Sequence, residues 1–117
     1  DAISFAASQT SNTLDASLIV AFTETGVSAG RISRYRPKSK ILALTPSQKV
    51  RNSLTLYWGV FPIVVNRLED VDDFFIIGKQ ESKNVLDETP HIVVLVAGFP
   101  LSTPGSTNML RILSLNS

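Results

Sequence analysis

The sequence predicts a three-layer α/β sandwich: a mostly parallel, five-stranded sheet held between two layers of helices. Three observations carry that prediction. Leu18–Phe22, Ile41–Leu44 and His91–Ala97 are apolar runs with little polar alternation, the pattern of strands covered on both faces. Helical spacing recurs between them, at residues 29–35, 46–57 and 68–86. A last apolar run, Met109–Leu115, follows the fourth strand without a helix and is therefore expected to lie antiparallel to its neighbour.

Taken in order, residues 1–14 carry Ala2, Ile3, Ala6, Ala7 and Leu14 at helix-compatible spacing, and the first strand follows at Leu18–Phe22. Thr23–Ser28 contains Gly26 and reads as a tight loop before a short helix, Ala29–Tyr35, which must end ahead of Pro37. The second strand is Ile41–Leu44. Thr45-Pro46 is expected to open the next helix, with Thr45 as its cap and Pro46 in the first turn. Trp58-Gly59 is expected to close it. Val60–Val65 is the third strand, and Pro62 assigns it to a sheet edge, where a missing N–H is tolerated. Leu68, Val71, Phe74, Phe75, Gly78, Ser82 and Leu86 share one face of the longest helix, which starts acidic and turns basic, as its dipole favours. Thr89-Pro90 ends it. A Gly/Pro/Ser/Thr-rich loop, residues 98–108, separates the fourth and fifth strands.

Composition bounds the function. With 117 residues the chain fits one compact domain, far short of the ~250 that a (β/α)₈ barrel takes. Zero Cys excludes disulfides, thiol catalysis and thiolate metal sites. A net charge of +1 supplies no basic field for nucleic acid or acidic lipid. Neither a signal peptide nor a run of the ~20 apolar residues that span a bilayer is present, so a cytoplasmic setting is expected. Asp1 opens a helical pattern at once, which reads as a segment of a longer chain.

In an open parallel sheet, ligands gather beyond the carboxyl ends of the strands. The loop Thr23-Glu24-Thr25-Gly26-Val27-Ser28 lies there, joining hydroxyls, a Gly and the N–H groups of a helix start into a candidate phosphate cradle. Leu101–Asn108, with Gly105, Ser106 and Thr107, could close over the same ligand. For either loop alone an ordinary surface turn is the simpler reading, and the pair together points to an anion site. Gly26-Val27-Ser28-Ala29-Gly30 is also a literal G-x-S-x-G, the pattern of a nucleophile elbow. The one histidine, His91, opens a parallel strand about 20 Å long at ~3.3 Å per residue, so it belongs to the opposite sheet edge and a hydrolase is excluded. Arg31, Arg34, Arg36, Lys38 and Lys40 read as a solvated rim, one or two of which could neutralise a phosphate or pair across a subunit interface. Glu69, Asp70, Asp72 and Asp73 are explained by the helix dipole rather than by a metal. Trp58 reads as a core or interface anchor. No HExxH, EF-hand, Walker A or G-x-G-x-x-G pattern occurs.

The ordered segments Asp1-Ala2-Ile3-Ser4, Ile19–Gly26, Ile32-Ser33-Arg34-Tyr35-Arg36-Pro37, Ile41–Thr45, Trp58-Gly59-Val60-Phe61-Pro62, Ala97–Pro100, Pro104–Asn108 and Met109-Leu110-Arg111-Ile112 resemble the C-terminal α/β domain of pyruvate kinase. The resemblance covers nearly the whole chain. It implies a strand order 3-2-1-4-5 and places catalysis elsewhere, in a barrel with a mobile lid that moves phosphate from phosphoenolpyruvate to ADP with Mg²⁺ and usually K⁺. This domain, silent alone and without a cofactor of its own, would carry an allosteric phosphosugar or nucleotide pocket and the contacts of a tetramer. Its phosphate loop maps onto Thr23, Glu24, Thr25, Gly26, Val27 and Ser28, and its closing loop onto Gly105, Ser106 and Thr107. Two departures bear on the effector. Glu24 stands where responsive members often carry Lys or a small polar residue, and the 68–86 helix lacks their Trp and Arg. The loop can thus keep its fold while fructose 1,6-bisphosphate binds weakly or not at all, leaving a smaller monophosphate or no effector. A free-standing phosphometabolite-binding module, or an assembly domain with a vestigial anion site, are the alternatives.

Overall fold

A computed structural model describes residues 2–97 and 109–117. Its elements are α1 (Ala2–Leu14), β1 (Leu18–Phe22), α2 (Val27–Arg34), β2 (Lys40–Thr45), α3 (Gln48–Leu54), β3 (Val60–Val64), α4 (Val71–Val85), β4 (His91–Ala97) and β5 (Met109–Leu115). They form one five-stranded sheet of order β3-β2-β1-β4-β5, parallel except for the antiparallel β4–β5 pair. Pro62 indeed lies on an edge strand. The three-layer α/β reading and the strand order both stand.

Alternation along the strands builds two cores. Ile19, Ala21, Ile41, Ala43, Val94 and Val96 face one way and are covered by Ala7 of α1, Ala29 and Ile32 of α2 and Leu54 of α3. Leu18, Val20, Leu42, Leu44, Val93 and Leu95 face the other way, where α4 inserts Phe74, fully buried between Phe22 and Phe75. The three central strands are apolar on both faces because both faces are covered. Gly78 and Ser82 lie on the buried side of α4, and a Cβ on Gly78 would stand 3.3 Å from Leu95 Cδ2. These small residues let the α4 backbone settle close to the sheet.

Several boundaries differ from the sequence prediction, each for a local reason. Thr45 does not cap α3. It finishes β2, paired with Val64, and its carbonyl accepts the Val65 N–H at 2.9 Å, while Ser47 Oγ caps the helix by accepting the Val50 N–H at 3.1 Å. The sheet ladder holds Thr45 extended, so the next hydroxyl takes over as cap. α3 stops at Leu54, well before Trp58, where the Ser53 and Thr55 hydroxyls donate back to carbonyls of their own helix. α4 begins at Val71, not Leu68, because Asp70 caps it through the Asp73 N–H at 3.0 Å and Asp73 returns a bond to the Glu69 N–H. α2 starts at Val27, two residues early, with Gly26 in the left-handed conformation at φ +91°. Trp58 is no core anchor: it is half exposed, and Arg36 lies 5.5 Å from its ring centroid.

Candidate anion site at the start of helix α2

The loop 23–28 does sit at the carboxyl end of β1, as the parallel sheet requires, and its chain direction is set by a local turn. Thr23, buried at the strand end, accepts the Gly26 N–H through Oγ1 at 2.7 Å. Thr25 Oγ1 accepts from the Val27 N–H at 3.4 Å, and Gly26 O accepts the first helical bond from Gly30 at 3.0 Å. Gly is required at position 26 on two counts. Its φ is positive, and a Cβ there would meet Leu54 Cδ2 at 3.3 Å and Val50 Cγ1 at 3.4 Å, so α3 packs tightly against the bare backbone.

A polar cleft of about 310 Å³ opens at this point. Thr25, Gly26 and Val27 form one side, and Gly30, Arg31 and Arg34 continue it along α2. Ser53, Leu54 and Tyr57 of α3 and the turn after it close the other. Val27, Gly30, Arg31 and Arg34 share a helix face at spacings of three and four, which brings both guanidiniums beside the loop. Gly30 is bare because Tyr57 Cε1 would lie 3.1 Å from its Cβ. The positive end of the α2 dipole and two cations thus converge on one hollow, an arrangement that favours an anion.

The six loop residues divide. Thr25, Gly26 and Val27 line the cleft, whereas Thr23, Glu24 and Ser28 do not. Thr23 serves the turn, and Ser28 is buried in the first turn of α2. Glu24 is turned toward Arg67, with Oε1 and Nη2 at 3.4 Å. Gly105, Ser106 and Thr107 lie outside the described residues. Of the basic rim, Arg31 and Arg34 join the cleft, Arg36 covers Trp58, and Lys38 and Lys40 belong to the opposite sheet edge. Ser53 and Tyr57 were not anticipated; Gly30, which has no reason to be glycine within α2 alone, was the available signal for a side chain pressing in from α3.

His91 lies on the opposite edge, as expected of a residue opening β4. Its Nδ1 is 2.7 Å from Ser17 Oγ and its Nε2 is 2.7 Å from Asp87 Oδ1. Hydrogen bonds from the Thr89 hydroxyl, His91 and the Thr89 N–H hold the Asp87 carboxyl down at about 2. No group of three His, Cys, Asp or Glu is placed to hold a metal ion among the described residues, and no helix there is long and apolar enough to cross a membrane.

The family model for the pyruvate kinase alpha/beta domain matches residues 1–113. The chain belongs to that family. A pyruvate kinase of Methylorubrum extorquens is 41% identical over 113 residues, 96% of this chain and 24% of that protein. One from Clostridium acetobutylicum is 34% identical over the same coverage, and pyruvate kinase 2 of Synechocystis is 38% identical over 96% of this chain and 19% of its own length. The chain therefore spans about a quarter or less of the pyruvate kinases it matches.

Proposed function

We propose that this α/β domain is the regulatory and assembly unit of a pyruvate kinase, and that the cleft at the start of α2 is its effector site for a phosphorylated metabolite. The observation that carries this reading is the meeting of Thr25, Gly26 and Val27 with Arg31 and Arg34 around one polar hollow. A phosphate there would take backbone and hydroxyl donors from the loop and a charge-assisted bond from a guanidinium. Phosphoryl transfer from phosphoenolpyruvate to ADP, with its Mg²⁺ and K⁺, belongs to a catalytic barrel domain of the parent enzyme, and the 117-residue domain alone is inactive. By the family resemblance, Gly105, Ser106 and Thr107 complete the proposed site.

The pocket suits one phosphate. Arg31 and Arg34 lie on the same helix face, and among the described residues no further cationic group lines the cleft. A sugar monophosphate or a nucleoside monophosphate therefore fits better than a bisphosphate. Assembly into a homo-oligomer, a tetramer in the parent enzyme, is supported by exposed apolar side chains on the α1–α3 side: Phe5 and Tyr35, in edge contact at 5.4 Å, and Leu56, 87% exposed.

Thermal melting of the domain with glucose 6-phosphate, AMP and fructose 1,6-bisphosphate tests the effector site. A ligand at one hundred times its Kd adds ~2.7 kcal/mol. The expected result is stabilisation by a monophosphate. No shift with any of the three at millimolar concentration would refute it.

A further inference from the structure

A second cleft, of about 540 Å³, opens at the amino edge of the sheet, at the other end of the strands from Gly26. It opens where α4, which packs chiefly on β1 and β4, stops short of the amino end of β2 and of the edge strand β3. Leu18, Leu42 and Phe61 form an apolar floor from three adjacent strands, and Val85 and Leu86 add a wall at the end of α4. Phe61 and Val85 are each about half exposed, at 50% and 51%. These side chains meet water where a filled groove would cover them.

The rim differs in chemistry from the floor. Lys38 and Lys40 stand on it with Asp15, a balance of one positive charge. Lys40 holds its Nζ 5.3 Å from the Phe61 ring centroid, so the charge sits beside apolar surface. Among the described residues neither lysine has a carboxylate partner within ion-pair distance. The serine hydroxyls on the rim are already engaged: Ser11 with Ser39, Ser39 with the Ala16 carbonyl, and Ser17 with His91. Two ammonium groups over a hydrocarbon floor remain for a ligand.

We propose that this groove is a second small-molecule site, specific for an organic monoanion with an apolar body, such as an aromatic or branched aliphatic carboxylate. Its volume lies within the range of ligand pockets, roughly 300–1,000 Å³. A sugar phosphate is the wrong partner, since its hydroxyls would face Leu18, Leu42 and Phe61 without acceptors. The site does not depend on the α2 cleft. An occupant touching Leu86 and Phe61 would tie the end of α4 to the edge strand β3, which gives binding a structural consequence.

Titration of the ¹⁵N-labelled domain with 4-phenylbutyrate, followed by amide chemical shifts, tests this. Expected are saturable shifts centred on Leu18, Lys40, Leu42, Phe61 and Leu86 below ~10 mM, given the modest affinity a dozen heavy atoms support. The uncharged 4-phenylbutyramide and the Lys38→Ala/Lys40→Ala variant should each bind about five-fold more weakly, the scale of an exposed ion pair. Gly26→Ala should bind 4-phenylbutyrate as well as the parent chain does. Absence of saturation, equal affinity for the amide, or shifts centred elsewhere would each overturn the proposal.

Discussion

Arg67 reaches across from the β3–α4 connection to Glu24, Nη2 to Oε1 at 3.4 Å, and so holds the one carboxylate of the 23–28 loop away from the cleft beside it. A carboxylate in that loop would otherwise repel a phosphate, since like charges at ~4 Å cost on the order of a few kcal/mol at an effective ε near 20. Releasing Glu24 should therefore weaken anion binding. Arg67→Ala is expected to lower phosphate affinity about two- to five-fold while changing stability by under ~1 kcal/mol, because Arg67 is largely exposed. Calorimetric titration beside urea unfolding separates the two effects.

Gly26 and Gly59 make a matched pair. Both have positive φ, at +91° and +69°, but a Cβ at Gly26 would stand tightly, 3.3 Å, against Leu54 Cδ2 whereas one at Gly59 meets nothing within 4 Å. Gly59→Ala should cost the left-handed penalty alone, ~1–2 kcal/mol, and leave phosphate binding intact. Gly26→Ala should cost more and also lose the ligand. Equal losses in urea denaturation would mean that the α3 contact yields freely.

Phe74 is the one large side chain that α4 buries completely. Phe74→Ala should destabilise the domain by ~3–5 kcal/mol. Amide hydrogen exchange is expected to rise first in α4, because among the described residues no second helix packs on that face.

Asp87 couples stability to pH. Its carboxyl lies near 2 in the folded domain against an ordinary 3.8. A depressed folded value means that the contribution is fully present above 3.8 and disappears as pH falls from there toward 2. Melting temperatures of the parent chain and Asp87→Asn should differ at pH 6 and converge near pH 2. Parallel curves across that interval would exclude the linkage. Unlike the loop variants, this one acts at the His91 edge and should leave phosphate affinity unchanged.

Much of the architecture is legible in the sequence because it follows from period. Ile19 and Val20 can both be apolar only if both faces of β1 are covered, and that forces helices on each side. Pro62 announces an edge strand for lack of an N–H. Helix starts are harder, since Thr45, Ser47 and Asp70 all carry capping groups and only the sheet register decides that Thr45 stays extended. The candidate anion site is half legible. Gly26 and the hydroxyls around it mark the loop, but the inward positions of Arg31 and Arg34 and the closure by Tyr57 depend on how α3 packs against α2. The groove over Leu42 and Phe61 leaves no local trace, because it arises from where α4 fails to reach.

The proposed effector site holds its anion at the first turn of α2. Titrating the ¹⁵N-labelled domain with inorganic phosphate and following every backbone amide tests it most directly. Expected are saturable shifts largest at Thr25, Gly26, Val27 and Ser28, with affinity reduced about ten-fold or more in Arg31→Ala/Arg34→Ala, as the loss of a charge-assisted bond implies. Shifts centred on Lys38 and Lys40 instead, or identical binding by the double variant, would contradict it.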